Sequence, residues 1–292
     1  MPVPPIREKV ASLGGITATA ELLRTGVSAD RLRRAAERGD ILRPRRGVVA
    51  LPGMPHALIR AARAGGPLAG LSAASYYGFW TPEYRELHIS VRKDSRVPPR
   101  AGLVIHRDAH RLTASERFLV TRHSCLRQCI RILPFDEAVA VVDSALHDSR
   151  VGDAASIDLD RLRGQLPQRL HAVLDASDDR SEAGAESIAR IRLADAGIVA
   201  RPQVWITEGI RVDLLVGDDL VIEIGSKEFH ATPERYEPDH ERAATLLGLG
   251  FEVLEFTTLQ VINQWTAVEA VILSRVAPLR VLNQRFRPPL RL

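Results

Sequence analysis

The sequence predicts a mixed α/β chain, α+β in its first half and α/β in its last third. An N-terminal winged helix-turn-helix leads into a mixed middle region and a C-terminal core of order αβββαβ. Three observations predict this. Two short helical stretches flank the tight turn Thr25-Gly26-Val27-Ser28 and are followed by an arginine-rich ribbon. From Ser181 onward, helix-period and strand-period stretches alternate. Two strand-like stretches, residues 210–216 and 220–229, bracket the turn residues Gly217, Asp218 and Asp219.

The 292 residues are enough for two ordinary domains, and 45% hydrophobic content allows a sizeable core. The reading divides the chain into a winged helix-turn-helix over 1–52, a mixed region over 53–150, a polar connector over 151–180 and the C-terminal domain over 181–292. Cys125 and Cys129 are the two cysteines. Their spacing puts both on one helix face, and without a second ligand pair nearby they do not make a zinc site. No apolar run approaches the ~18 residues of a membrane span, and the N-terminus lacks a signal-peptide core. The expectation is a cytoplasmic protein without a membrane partner.

In the first 52 residues, Thr19 is expected to cap a helix ending before Gly26, and Ser28 to cap a second helix ending before Gly39. Leu32, Ala35 and Ala36 share one face of that second helix. Arg31, Arg33, Arg34 and Arg38 point elsewhere. Two short strands around Pro44–Gly47 would form the wing, carrying Arg43, Arg45 and Arg46. Residues 1–50 hold ten Lys or Arg against five Asp or Glu, an excess larger than the whole-chain net charge of +4. The positive field is therefore concentrated here, and these seven arginines are the expected DNA contacts. The middle region shows no chemistry above background, and His106 and His110 read as solvated histidines in a loop.

The chemistry lies in the C-terminal hairpin. A loop of Gly217, Asp218 and Asp219 pairs Val216 with Leu220, and counting back sets Asp213 opposite Glu223. In that register Val212, Leu214 and Val216 share an apolar face with Leu220, Ile222 and Ile224. The two acids then share the other face with Cβ atoms about 5 Å apart, where like charges cost stability. A bound divalent cation is one agent that offsets such a cost. Glu186, on the preceding helix, is a third acid within reach, and Lys227 and His230 follow Glu223. Three carboxylates with a lysine or histidine suit metal-assisted hydrolysis of a phosphodiester. Each also has a plain structural reading. Asp213 and Glu223 could face solvent, Glu186 could pair with Arg190, Lys227 could guard a strand edge, and His230 could stabilise a turn.

Asp213 and Glu223, ten residues apart after a helix bearing Glu186, resemble the PD-(D/E)xK nuclease pattern. The segment from about 182 to 275 looks more narrowly like the very-short-patch-repair-type endonuclease-like domain. Glu223, Gly225, Ser226, His230, Asp239, Arg242, Gly250 and Phe251 stand at its motif positions. The resemblance implies a restriction-endonuclease-like fold and a Mg²⁺ site, with Mn²⁺ as a substitute, held by Glu186, Asp213 and Glu223. Catalysis would fall to Asp213, Glu223, Lys227 and His230, with Asp239 and Arg242 supporting. Gly225 departs from the pattern, which places an acid or a lysine two residues after the glutamate. The first 107 residues are similar to the winged-helix antitoxins of the abortive-infection type IV class, which implies DNA and a cognate toxin protein as partners. Two functions follow as expectations. One is a Mg²⁺-dependent DNA endonuclease targeted by its winged helix; the other is a non-catalytic repressor with a degenerate nuclease domain.

Overall fold

The computed structural model describes residues 5–108, 116–151, 156–225 and 242–285. The chain divides into two compact units, 1–133 with 157–168, and 134–156 with 169–292.

The first unit begins with α1 (Ile6–Ala11), β1 (Ile16–Ala18), α2 (Thr19–Arg24), α3 (Ala29–Glu37) and β2 (Val48–Ala50). Ile6, Val10, Leu22, Val27, Leu32, Ala35, Ile41 and Val49 form one buried cluster, so each helix contributes its apolar face to a common core. Ser28 caps α3 by accepting from the Arg31 amide at 3.2 Å. Thr19 does not cap α2. Ala18 holds that position, and Thr17 instead donates to Glu21 at 2.8 Å. The expected two-stranded wing is also different. β2 pairs antiparallel with β1, Ile16 opposite Ala50, which the sequence reading did not foresee. The other wing strand is reduced to a single bridge between Leu42 and Ala50, because Pro44 has no amide to donate.

The rest of this unit holds α4 (His56–Ala64), α5 (Gly70–Tyr76), β3 (Leu87–Arg92), β4 (Leu103–Asp108), α6 (Arg122–Ile132) and α8 (Leu159–Gly164). Cys125 and Cys129 are both buried on α6. β3 and β4 pair in parallel, with Ser90 opposite His106. His106 therefore lies on a strand, not in a loop, and its Nε2 sits 3.0 Å from Nδ1 of buried His88. Burial pushes His88 down to about 4, against a small opposing pull from Glu86. Gly70, at φ +46, admits both rings, since a Cβ there would lie 2.4 Å from His106 Nε2. His110 falls outside the described residues.

The second unit contains α7 (Phe135–Val151), α9 (His171–Asp175), α10 (Gly184–Asp195), β5 (Ala200–Thr207), β6 (Ile210–Val216), β7 (Leu220–Gly225), a helix α11 over 242–248, β8 (Glu252–Thr257), α12 (Thr258–Asn263) and α13 (Trp265–Arg285). From α10 to β8 the elements follow the αβββαβ order expected from the sequence, and two further helices, α12 and α13, come after it. The sheet runs β5-β6-β7-β8, antiparallel across the first three strands and parallel between β7 and β8. α7 stands outside the expected C-terminal boundary at 181 yet belongs to this unit. It packs against α10 through Asp143, whose fully buried carboxylate accepts from Arg190 at 2.8 Å and from the Asp178 amide at 2.7 Å. The sequence offers Ser181 as the N-cap of a helix ending at Gly197, but Ser181 does not cap α10. Ala183 occupies the cap, and the Glu186 carboxylate reaches back to the Glu182 amide at 3.1 Å.

Removing one partner of a buried ion pair leaves the other charge uncompensated, which costs about 3–5 kcal/mol. Asp143→Ala is therefore expected to destabilise the second unit by about that amount, read as a shift in denaturation midpoint, whereas Asp178→Ala, on a more exposed side chain, should cost far less.

Candidate functional site

The site is a row of polar side chains running across the sheet of the second unit. Leu214 pairs with Ile222 and Val216 with Leu220, so the hairpin loop is Gly217–Asp219; the ladder ends at Leu214–Ile222, and one step beyond it the side chains of Asp213 and Glu223 meet. Gly217, at φ +62, supplies the left-handed residue that a three-residue turn uses. On the other flank, Pro202 pairs with Leu214 and Val204 with Val212, which sets Gln203 opposite Asp213. β8 pairs Glu255 with Glu223. Gln203, Asp213, Glu223 and Glu255 thus lie one per strand at the same level of the sheet, and Glu186 approaches from α10.

Their hydrogen bonds are specific. Asp213 Oδ2 accepts from the Ile224 amide at 2.8 Å, and Asp213 Oδ1 faces Gln203 Nε2 at 3.4 Å. The same Gln203 nitrogen donates to Glu186 Oε2 at 2.9 Å. Arg190 is not the partner of Glu186; it is held by Asp143. Arg242 Nη2, from α11, donates to Glu223 Oε1 at 2.7 Å and also to the Arg211 carbonyl. Gln203 has φ +54 and is the one non-glycine residue at positive φ among the described residues. Such backbone strain persists where surrounding contacts over-determine it, and here it accompanies a side chain that bridges two acids.

The electrostatics follow from burial first and from crowding second. Burial, then the neighbouring charge of Asp213, pushes Glu223 up to about 8, with Arg242 pulling the other way. Burial, again followed by Asp213, pushes Glu186 up to about 7. All the acids offer hard carboxylate oxygens, which fit Mg²⁺ or Mn²⁺ by donor type. Their side-chain arrangement is different. Among the described residues, no group of three or more His, Cys, Asp or Glu is disposed to hold a metal ion. The carboxylates are engaged by Gln203, the Ile224 amide and Arg242, and Asp213 and Glu223 also by one another.

The structure brings Glu186, Asp213, Glu223 and Arg242 together. Lys227, His230 and Asp239 lie outside the described residues. Gly225 ends β7 opposite Thr257, and among the described residues nothing lies within 4 Å of where a Cβ would stand. Sequence reasoning did not find Gln203 or Glu255, whose places depend on pairing with strands distant in sequence. In the first unit, Arg33 pairs with Asp30 and Glu37, Arg34 with Asp30, and Arg38 with Asp40. Arg43, Arg45 and Arg46 are exposed on the ribbon and form no ion pair among the described residues. Arg31 is partly buried on α3.

Residues 5–52 match the family model described as transcriptional regulator, AbiEi antitoxin. None of the curated proteins matches the chain. Among solved structures, the catalytic domain of the homing endonuclease I-Bth0305I is 19% identical, with a TM-score of 0.26, covering 32% of this chain and 94% of that domain. No helix among the described residues is long and apolar enough to cross a membrane.

The acid row makes stability depend on pH. With folded values near 7 and 8 against an ordinary 4.5, Glu186 and Glu223 bind more protons in the folded chain than in the unfolded one. Their contribution is fully present below about pH 4.5 and is lost as pH rises through 7 to 8. The melting temperature of the second unit should therefore fall between pH 6 and pH 8.5. Glu223→Gln should flatten that slope and melt about 2–4 °C above the wild type at pH 8.5, measured by scanning calorimetry.

Proposed function

We propose that the chain is a DNA-binding transcriptional regulator of the AbiEi antitoxin type. The observation that carries this reading is the match of residues 5–52 to that family, over the segment where the excess of positive charge lies. α2 and α3 act as the helix-turn-helix, and the ribbon from Leu42 to Ala50 acts as the wing. Arg43, Arg45 and Arg46 neutralise phosphates, since no acid competes for them among the described residues. Arg31, Arg33, Arg34 and Arg38 are presented by or beside α3. The pairs that Arg33, Arg34 and Arg38 make within their own segment must be exchanged before those residues contact DNA. DNA is the partner, and the antitoxin likeness adds a cognate toxin protein as the second.

A second reading, a Mg²⁺- or Mn²⁺-dependent DNA endonuclease, is favoured by one observation: the register that sets Asp213 opposite Glu223, with Glu186 beside them. The likeness of residues 182–275 to very-short-patch-repair-type domains of restriction-endonuclease-like fold supports it. Asp213 and Glu223 would hold the ion, with Glu186 completing the acids. A bound divalent cation supplies charge neutralisation at the phosphoryl group and a more acidic water. Arg242, at the edge of the row, would meet the phosphate. Lys227 and His230 are the candidate groups for orienting water.

Salt-dependent binding tests the first reading. Each phosphate contact contributes about 0.9 to the slope of log affinity against log salt. With a duplex taken from upstream of the chain's own coding region, Arg43→Ala/Arg45→Ala/Arg46→Ala should lower that slope by about 2.7. Arg33→Ala, already balanced by two acids, should change it by less than about 1. An unchanged slope in the triple variant, by fluorescence anisotropy, defeats the regulator reading. For the second reading, plasmid nicking with Mg²⁺ or Mn²⁺ should vanish in Glu223→Ala, and full cleavage by that variant defeats it.

A further inference from the structure

A cavity of about 420 Å³ lies entirely within the second unit, where the start of α7, the end of α10 and the start of α13 meet. Small-molecule sites run from about 300 to 1,000 Å³, so this is the size of a ligand pocket. One arginine fixes its walls. Arg192 Nε donates to Asp136 Oδ2 at 2.7 Å, and Arg192 Nη1 donates to the Val261 carbonyl at 2.8 Å. Arg192 Cζ lies 5.6 Å from the centre of the Trp265 ring. Arg192 therefore ties α10 to α7, α12 and α13 at once. Asp136 is engaged through both oxygens, since Oδ1 accepts from the Glu137 amide at 3.0 Å. The charges of Asp136 and Arg192 thus offset one another.

Two carboxylates of the lining remain, Asp195 and Glu269, and neither has an ion-pair partner among the described residues. Helix spacing explains why. The charged neighbour of Asp195 one turn back on α10 is Arg192, and that guanidinium is turned to Asp136. Glu269 has Trp265, Thr266, Ile272 and Leu273 one turn away on α13, and none of them carries charge. Asp195 also ends α10, where the helix dipole disfavours a negative group. Beside these acids the lining holds two aromatic rings, half-buried Trp265 and exposed Phe135. Aromatic surface next to uncompensated negative charge is complementary to a flat organic cation.

We propose that this pocket binds a guanidinium-bearing ligand, whose cation packs against Trp265 and Phe135 and is neutralised by Asp195 and Glu269. The chain itself already sets one guanidinium, that of Arg192, over the Trp265 ring. A guanidinium suits the lining better than an ammonium, because its plane stacks on a ring and its fork of donors serves two carboxylates. Arg192 is a positioning residue here: clamped by Asp136, the Val261 carbonyl and Trp265, it keeps the three helix ends in place. The inference is independent of the DNA-binding and nuclease readings, which involve other residues.

The test titrates the full-length protein with butylguanidinium and with butylurea, its neutral counterpart of the same shape, at constant ionic strength. The readout is the Trp265 indole N–H resonance, assigned by its loss in Trp265→Phe. Butylguanidinium should move that resonance and saturate with a Kd of about millimolar order. Butylurea should leave it in place, and the Trp205 resonance, outside the pocket, should stay still with both. Asp195→Asn/Glu269→Gln should weaken binding by about tenfold or more. Equal shifts with butylurea, or a double variant that binds like the wild type, would overturn the proposal. So would an unmoved Trp265 resonance up to about 10 mM butylguanidinium. The comparison of the two ligands on the wild type does not depend on how any variant folds. N-acetyl-arginine methylamide separates the two sources of such a cation. Binding as tight as that of butylguanidinium assigns the pocket to an arginine side chain of a protein partner, and weaker binding assigns it to a free ligand.

Discussion

The second unit is organised around one constraint, the parity of the β6–β7 turn. With three residues in the loop, every second side chain of the two strands falls on the same face, and Asp213 meets Glu223. A loop shorter by one would separate them and leave Leu214 and Ile222 facing the wrong way. The apolar requirement is therefore met only by a register that also forces two acids together. Everything else in the row answers that repulsion. Gln203 takes up a left-handed backbone conformation and bridges Glu186 and Asp213 through its amide nitrogen. The Ile224 amide satisfies Asp213 and Arg242 satisfies Glu223, while burial first, and the charge of Asp213 second, holds Glu186 and Glu223 above the usual carboxylate range.

In the first unit the charge problem is opposite and is solved differently. α3 could present a continuous arginine face, but Asp30 sits three and four residues before Arg33 and Arg34, and Glu37 four after Arg33. Such solvent-exposed pairs contribute little to stability. They are weak enough for a phosphate to displace, yet strong enough to keep the helix from self-repulsion. The ribbon has no such acids. Pro44 keeps its first arm from forming a full strand, so Arg43, Arg45 and Arg46 ride on a short loop between Leu42 and Val48. Phosphate contacts that position a protein and base contacts that specify a site are separate tasks. The unbalanced ribbon suits the first task and the balanced helix the second.

Legibility in the sequence tracks how local the determining interaction is. Ser28 as a cap, the faces of α3 and the Asp213–Glu223 register were readable because each depends on residues within a dozen positions. Glu255 was not, since β7 and β8 pair in parallel, and a parallel register is set by the crossover between the strands rather than by a turn. The His88–His106 contact was missed for the same reason, as β3 and β4 are also parallel. Gln203 carries no sequence signal, because glutamine at positive φ is chosen by its tertiary partners. Ser181 and Thr19 looked like caps but were displaced by a buried position and by Thr17 pairing with Glu21.

Gly225 sharpens what the acid row can do. Among the described residues nothing crowds the position of its missing side chain, and its φ is not in the left-handed region. The row therefore lacks a charged group at the end of β7 where one would fit, and the positive charge reaches Glu223 from α11 instead. Among the described residues the row is closed by its own neighbours: Arg242 donates to Glu223, the Ile224 amide to Asp213, and Gln203 to Glu186. Each carboxylate is thus answered by a donor from a different element, so the row depends on the packing of α10, α11 and the first three strands together rather than on any one of them.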